Sequence, residues 1–283
     1  MIPKPKPRDQ GVARSDDGTR IAWDRYGDSG PVVLFVPTWN LVDARVVGYQ
    51  VRDLQDAHTV ITYDPRGNGA SDRPARGYDF TDHAADAIAV LDANDVNHAA
   101  VITASRGTGA AAILAAGQPA RVDRLAAIAP YVPLQRQDDA DFWEPAATNE
   151  GWDLYNAHAW LAVWPAFARF FMEAVFPEPG SAALIDEMVA IALDATPEVL
   201  VAQERELDWS RGPALLPSVR CPVLLIHGDA DPMLSVDTVQ ALAALLPDAR
   251  VELVAGGGHR PDIRSPDLVT PLLARFLDAG DRP

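Results

Sequence analysis

The chain has 283 residues, 48% of them hydrophobic, enough to bury one large core with an accessory subdomain and without a second independent domain. A formal net charge of −16 repels phosphate backbones and anionic lipid surfaces, and no basic patch offsets it, so neither nucleic-acid nor membrane binding is expected. No run approaches the roughly eighteen apolar residues of a membrane span, and the single cysteine, Cys221, has no partner for an internal disulfide; a cytoplasmic protein is expected.

The basic start, Met1-Ile-Pro-Lys-Pro-Lys-Pro-Arg8, has no apolar core behind it, and residues 1–10 read as a flexible arm, not a signal peptide. Val12-Ala-Arg14 and Arg20-Ile-Ala-Trp-Asp-Arg-Tyr26 flank an Asp-Gly turn signal and predict an antiparallel hairpin at a sheet edge. From Val32 the pattern changes to continuous apolar runs, as expected of strands buried on both faces: 32–36, 59–63, 100–103, 124–129, 223–226 and 251–254. Helices are predicted near 81–94, with Thr81 as cap, and near 107–117, 235–246 and 266–278. This alternation predicts an α/β fold with a doubly wound, mostly parallel sheet. It breaks between about 132 and 211, a stretch without a convincing strand that collects prolines and aromatic residues. We read 11–131 and 212–283 as the core and 132–211 as an inserted helical cap over the carboxyl ends of the strands, where open α/β sheets place ligands. Trp143, Trp160 and Trp164 of the insertion are substrate-binding candidates, against the alternative that they form only the cap's own core.

Ser105, Asp231 and His259 each follow an apolar, strand-like run. A serine hydroxyl becomes a nucleophile when an imidazole takes its proton, and a carboxylate fixes that imidazole's tautomer and stabilises its cation. Thr103-Ala104-Ser105-Arg106-Gly107 lies where a strand turns into a helix; the small Ala104 and Gly107 suit such an elbow, although Thr103 departs from the first glycine of G-x-S-x-G. A helix-capping serine is the plainer alternative. Gly107-x-Gly109-x-x-Ala112 also resembles a dinucleotide-binding turn, but the following strand ends in Ala129-Pro130-Tyr131 with no acidic residue for a ribose. His227, Asp229 and Asp231 share one loop; lacking a distant fourth ligand they are not read as a metal site. Cys221 is read as structural, and His58, His83, His98 and His158 as ordinary surface or boundary residues.

Asp64-Pro65-Arg66-Gly67-Asn68-Gly69-Ala70-Ser71 with Pro74 resembles the D-x-R-G-x-G-x-S-x-x-P loop of the α/β-hydrolase superfamily. His227-Gly-Asp-Ala-Asp231-Pro232 is similar to its H-G-x-x-D-P acid loop, and Gly256-Gly-Gly-His259-Arg-Pro261 to its G-x-x-H-x-P histidine loop. The order serine, aspartate, histidine is also that of the superfamily. The resemblance runs from about Val12 to Phe276 and implies a catalytic Ser105, Asp231 and His259, with Asp229 as the competitor for the acid. It implies backbone N–H donors for an oxyanion at Arg106 and at Thr38. Relatives commonly show His-Gly where this chain has Pro37-Thr38, and an uncharged residue where it has Arg106. Trp39, Asn40 and Arg106 are further substrate-binding candidates. The implied activity is cofactor-free hydrolysis of an ester, lactone or related acyl bond in a small molecule; an aspartate nucleophile, as in dehalogenases and epoxide hydrolases, is disfavoured by Ser105. Carbon–carbon bond hydrolases, acyltransferases, perhydrolases, biosynthetic cyclases and a hydrolase-like receptor stay open.

Overall fold

Eight strands supply the framework of the computed structural model, which describes residues 1–133, 140–208 and 212–279. They are β1 (Asp9–Arg14), β2 (Arg20–Tyr26), β3 (Val32–Phe35), β4 (Thr59–Tyr63), β5 (Ala99–Ala104), β6 (Val122–Ile128), β7 (Val223–Gly228) and β8 (Ala249–Val254), joined in the order β1-β2-β4-β3-β5-β6-β7-β8. Only the pairings β1/β2 and β2/β4 are antiparallel. Through the centre the register sets Leu34 beside Val101, Val101 beside Leu125 and Leu125 beside Val223.

Because side chains alternate across a strand, the apolar runs feed two cores. Leu34, Ile61, Val101, Leu125 and Leu225 face one side, and Val33, Phe35, Val60, Ala100, Ile102, Leu224 and Ile226 the other. In chain order the helices are α1 (Gly48–Leu54), α2 (Phe80–Ala93), α3 (Gly107–Gly117), α4 (Ala140–Trp143), α5 (Ala157–Val175), α6 (Ala182–Ala192), α7 (Pro197–Glu206), α8 (Gly212–Leu215), α9 (Val236–Ala243), α10 (Pro261–Arg264) and α11 (Pro266–Leu277). Residues of α2, α3 and α9 join the first core, and those of α1 and α11 the second. Between β6 and β7 all regular structure among the described residues is helical, and α5 and α6 enclose a third apolar cluster. Within α5 the helix is kinked: Val163 leaves helical geometry (φ −135°) just before Pro165, whose ring nitrogen has no hydrogen to bond the preceding turn.

Three expectations need correction. Residues 1–10 are docked: Ile2 is buried, its N–H donates to Glu187 of α6, and Asp9 and Gln10 pair in β1. Asp79, not Thr81, caps α2; Asp82 Oδ2 accepts from the Asp79 amide at 3.0 Å, and the Thr81 hydroxyl donates to Asp79. His58 and His83 are buried rather than peripheral.

The loop after β4 is held by Arg66, which donates two hydrogen bonds to Asp86 of α2 (2.7 and 2.6 Å) and one to Asp17 in the β1–β2 turn (2.9 Å). A forked guanidinium suits this task because it satisfies several buried acceptors at fixed angles. Asn40 and Asn68 lock that loop to the chain leaving β3: Asn40 Nδ2 donates to Arg66 O (2.6 Å) and Asn68 Nδ2 to Asn40 O (2.8 Å).

Candidate active site

Ser105 occupies the turn from β5 into α3 with φ +48°, a left-handed conformation that non-glycine residues rarely adopt. Its N–H donates to Ile128 O at 2.8 Å, which ties the elbow to the end of β6. The turn is compact because Gly107 has no Cβ: one there would collide with Thr103 Oγ1 and the carbonyl of Pro37. Thr103 fits behind the elbow because its hydroxyl donates to Val36 O at 3.0 Å. Gly109 in turn lets the Phe80 ring approach, so these glycines serve packing instead of a phosphate.

His259, on the loop after β8, places Nε2 2.9 Å from Ser105 Oγ and Nδ1 2.7 Å from Asp231 Oδ2. The Asp231 side chain is fully buried and its other oxygen accepts from the amides of Met233 (2.8 Å) and Leu234 (3.2 Å). Burial would raise its pKa, but the hydrogen bond and charge of His259 and those two amides outweigh it and hold the carboxyl below its ordinary range. Asp229 turns elsewhere, accepting from Gly256 N at 2.6 Å and so bracing the histidine loop. His227 bonds Leu234 O through Nε2 (3.0 Å), and burial lowers its pKa, so it is neutral and donates there. Among the described residues no cluster of three His, Cys, Asp or Glu side chains could hold a metal ion. Cys221 lies apart, its thiol pushed up to about 11 by burial.

Ser105 and His259 open into a cavity of about 400 Å³ at the carboxyl ends of the strands, shared by strand-end loops and the helices α5 and α6. Thr38, Trp39 and Arg106 line it. Four of the residues that the sequence suggests for substrate binding do not belong to it. Asn40 is buried and does not line the cavity, accepting from Gln203 (3.2 Å) as well as bonding the Arg66 loop. Trp160 and Trp164 point into the helical layer's own core against Phe167, and Trp143 stacks edge-on to Phe142. The rings that do reach the cavity are Trp152, Tyr155, Phe171 and Tyr131, joined by the thioethers Met172 and Met188. A count of aromatic residues could flag the insertion but not the inward face of each helix.

The Arg106 guanidinium pairs with Glu204 of α7, donates to Tyr155 Oη and lies 4.6 Å from the centre of the Trp39 ring. Burial works against its charge, but Glu204 more than offsets this and keeps its pKa above the ordinary arginine range.

Residues 31–261 match the family described as the alpha/beta hydrolase fold. The chain belongs to that family. Among relatives, the 2-(acetamidomethylene)succinate hydrolase of Mesorhizobium japonicum is 28% identical over 96% of this chain and 97% of its own. An esterase of Escherichia coli is 27% identical over 89% and 94%. The solved structure of an esterase from Rhodococcus superposes with a TM-score of 0.81 at 23% identity, covering 95% of this chain and 98% of that one. No helix among the described residues of this α/β hydrolase is long and apolar enough to cross a membrane.

Proposed function

We propose that this α/β hydrolase is a serine hydrolase that cleaves an ester, lactone or related acyl bond of a small, largely hydrophobic substrate. The observation that carries this reading is the continuous hydrogen-bonded chain from Ser105 through His259 to the buried Asp231 side chain, open to a cavity at its serine end. The esterase and hydrolase names of the relatives support it.

The chemistry follows from the donors and acceptors in place. Ser105 Oγ adds to the carbonyl carbon while His259 Nε2 takes its proton, and Asp231 stabilises the resulting imidazolium. The charge on the carbonyl oxygen falls to the backbone N–H groups of Arg106 and Thr38, two residues that line the cavity together with Ser105. As the tetrahedral adduct collapses, the bond to the leaving alcohol breaks and His259 returns the proton to that oxygen. A water then adds to the acyl-enzyme, giving a proton to Nε2; collapse releases the acid and restores the proton to Ser105 Oγ. The sum is ester plus water giving acid plus alcohol, with no cofactor consumed. Pro37 is compatible with this use of the loop because the donor required is the next residue's N–H, not its own.

The test combines rapid labelling by a fluorophosphonate probe with turnover of aryl and alkyl esters and lactones. Labelling and turnover are expected in the native protein, and Ser105→Ala should remove both, with a fall in kcat of at least about a thousandfold. A folded protein that resists the probe and turns over none of these would make the pocket a receptor site and end the hydrolase reading.

A further inference from the structure

Each guanidinium in the cavity wall is already closed by a carboxylate that stands outside the wall. Arg106 is paired with Glu204, both side chains being 12% exposed, and is further engaged by Tyr155 and Trp39. Arg260 is held by both oxygens of the buried Asp262 at 2.9 and 2.7 Å. Among the described residues no lysine, aspartate or glutamate lines the cavity, and apart from the arginines, Ser105, His259 and Thr38 its wall is apolar or aromatic. A substrate carboxylate entering this space would lose its hydration and meet only arginines whose charge is already balanced, and drawing Arg106 toward itself would weaken the pair that Glu204 makes in a part-buried setting. The net charge of −16 adds a long-range penalty against anions before they arrive.

We infer that the Arg106–Glu204 pair makes this a site for neutral acyl groups and excludes those that carry a carboxylate. The inference rests on the hydrolase reading and narrows its substrate class. It also identifies Glu204, a residue of α7 that does not line the cavity, as a determinant of specificity acting through Arg106. The guanidinium next to the nucleophile, which by itself would attract acids, is neutralised, and its role becomes closing the apolar wall through Tyr155 and Trp39.

The experiment uses the full chain and two readouts. In the first, kcat/KM is compared for p-nitrophenyl butanoate and mono-p-nitrophenyl succinate, which differ by a terminal carboxylate; the neutral ester is expected to be favoured at least about tenfold. Glu204→Gln, which keeps an oxygen acceptor for Arg106 but removes the competing charge, should raise the succinate-to-butanoate ratio about ten- to a hundredfold. Adding Arg106→Met to Glu204→Gln should abolish that gain. In the second readout, quenching of Trp39 and Trp152 fluorescence follows titration with 4-phenylbutanamide and 4-phenylbutanoate, and the amide should bind at least about tenfold more tightly. This arm needs no turnover, so it stands even if the ester chemistry fails. Equal or tighter use or binding of the anionic member by the native protein would overturn the inference, as would an unchanged ratio in a folded Glu204→Gln variant or binding of neither ligand.

Discussion

At Ser105 the backbone holds a conformation that costs on the order of 1–3 kcal/mol, and the surrounding residues must over-determine it. Gly107 is the most demanding of these, because a methyl group there would meet the carbonyl of Pro37, a backbone atom that has no room to yield. Gly107→Ala is expected to lower unfolding stability by about 1–3 kcal/mol and to depress turnover as well, since moving Pro37 moves the Thr38 N–H; urea midpoints and kcat on one ester measure both. The division of labour between the two loop carboxylates gives a sharper test. Asp231→Asn should reduce kcat by up to about ten-thousandfold, because the amide no longer holds the histidine tautomer, whereas Asp229→Asn keeps an oxygen for Gly256 N and should cost under about tenfold. The reverse ranking would transfer the acid role to Asp229. Ser105, Asp231 and His259 are legible in the sequence because strand-end loops announce themselves by an apolar run followed by small residues. Tyr155 and Met188 are not, since their importance depends on which face of a helix looks inward. Asn40 misleads because a polar residue beside a pocket tryptophan is equally suited to bonding buried backbone.

Among the elements, the C-terminal end of α5 and the residues just after it touch the histidine loop of the candidate site. Val175 O accepts from His259 N at 3.2 Å, and three residues later Glu178 Oε1 accepts from Gly258 N at 2.6 Å. Gly258 also permits the ring of Pro177 to close against the loop, where a Cβ would come within 2.6 Å of it. The histidine loop therefore hangs from the helical insertion as much as from β8. Glu178 is a positioning residue on this view: Glu178→Ala should lower kcat about ten- to a hundredfold through a displaced imidazole with a smaller change in KM. Glu178→Gln, which retains an acceptor, should recover most of that loss. If both variants lower stability alike and leave kcat untouched, the contact is structural only. No sequence signal points to it, because a glutamate after a proline has no periodicity to mark its partner. The strands and α2, α3, α9 and α11 are readable from apolar runs and terminal signals, whereas α1 escapes such a reading: Gly48-Tyr-Gln-Val-Arg-Asp-Leu54 is too short for a 3.6-residue pattern to repeat.

For the molecule as a whole, one buried histidine joins the insertion to the core, and their union is expected to weaken in acid. His83, on α2, has Nε2 3.2 Å from Gln203 Nε2 of α7, and the same amide nitrogen donates to Asn40 Oδ1 at 3.2 Å. The contact works only when His83 is neutral and Nε2 accepts. Burial, aided by the nearby Arg66 charge and only partly opposed by Asp79, lowers its pKa to about 3. The unfolded chain's histidine titrates near 6.5, so between roughly pH 6.5 and 3 the unfolded state binds the extra proton and the folded state does not. Stability from this residue is thus fully present above about pH 6.5 and is lost as pH falls, by about 2 kcal/mol at pH 5. Protonation also turns an acceptor into a donor facing the Gln203 amide, which favours release of α7 from α2. Urea unfolding followed by circular dichroism at pH 8, 6 and 5 should show the native midpoint falling steadily. His83→Gln, which keeps an acceptor but does not titrate, should begin lower at pH 8 and lose less on acidification, so that the two curves converge. Parallel curves would remove His83 as the source of the acid sensitivity and leave the carboxylates to account for it.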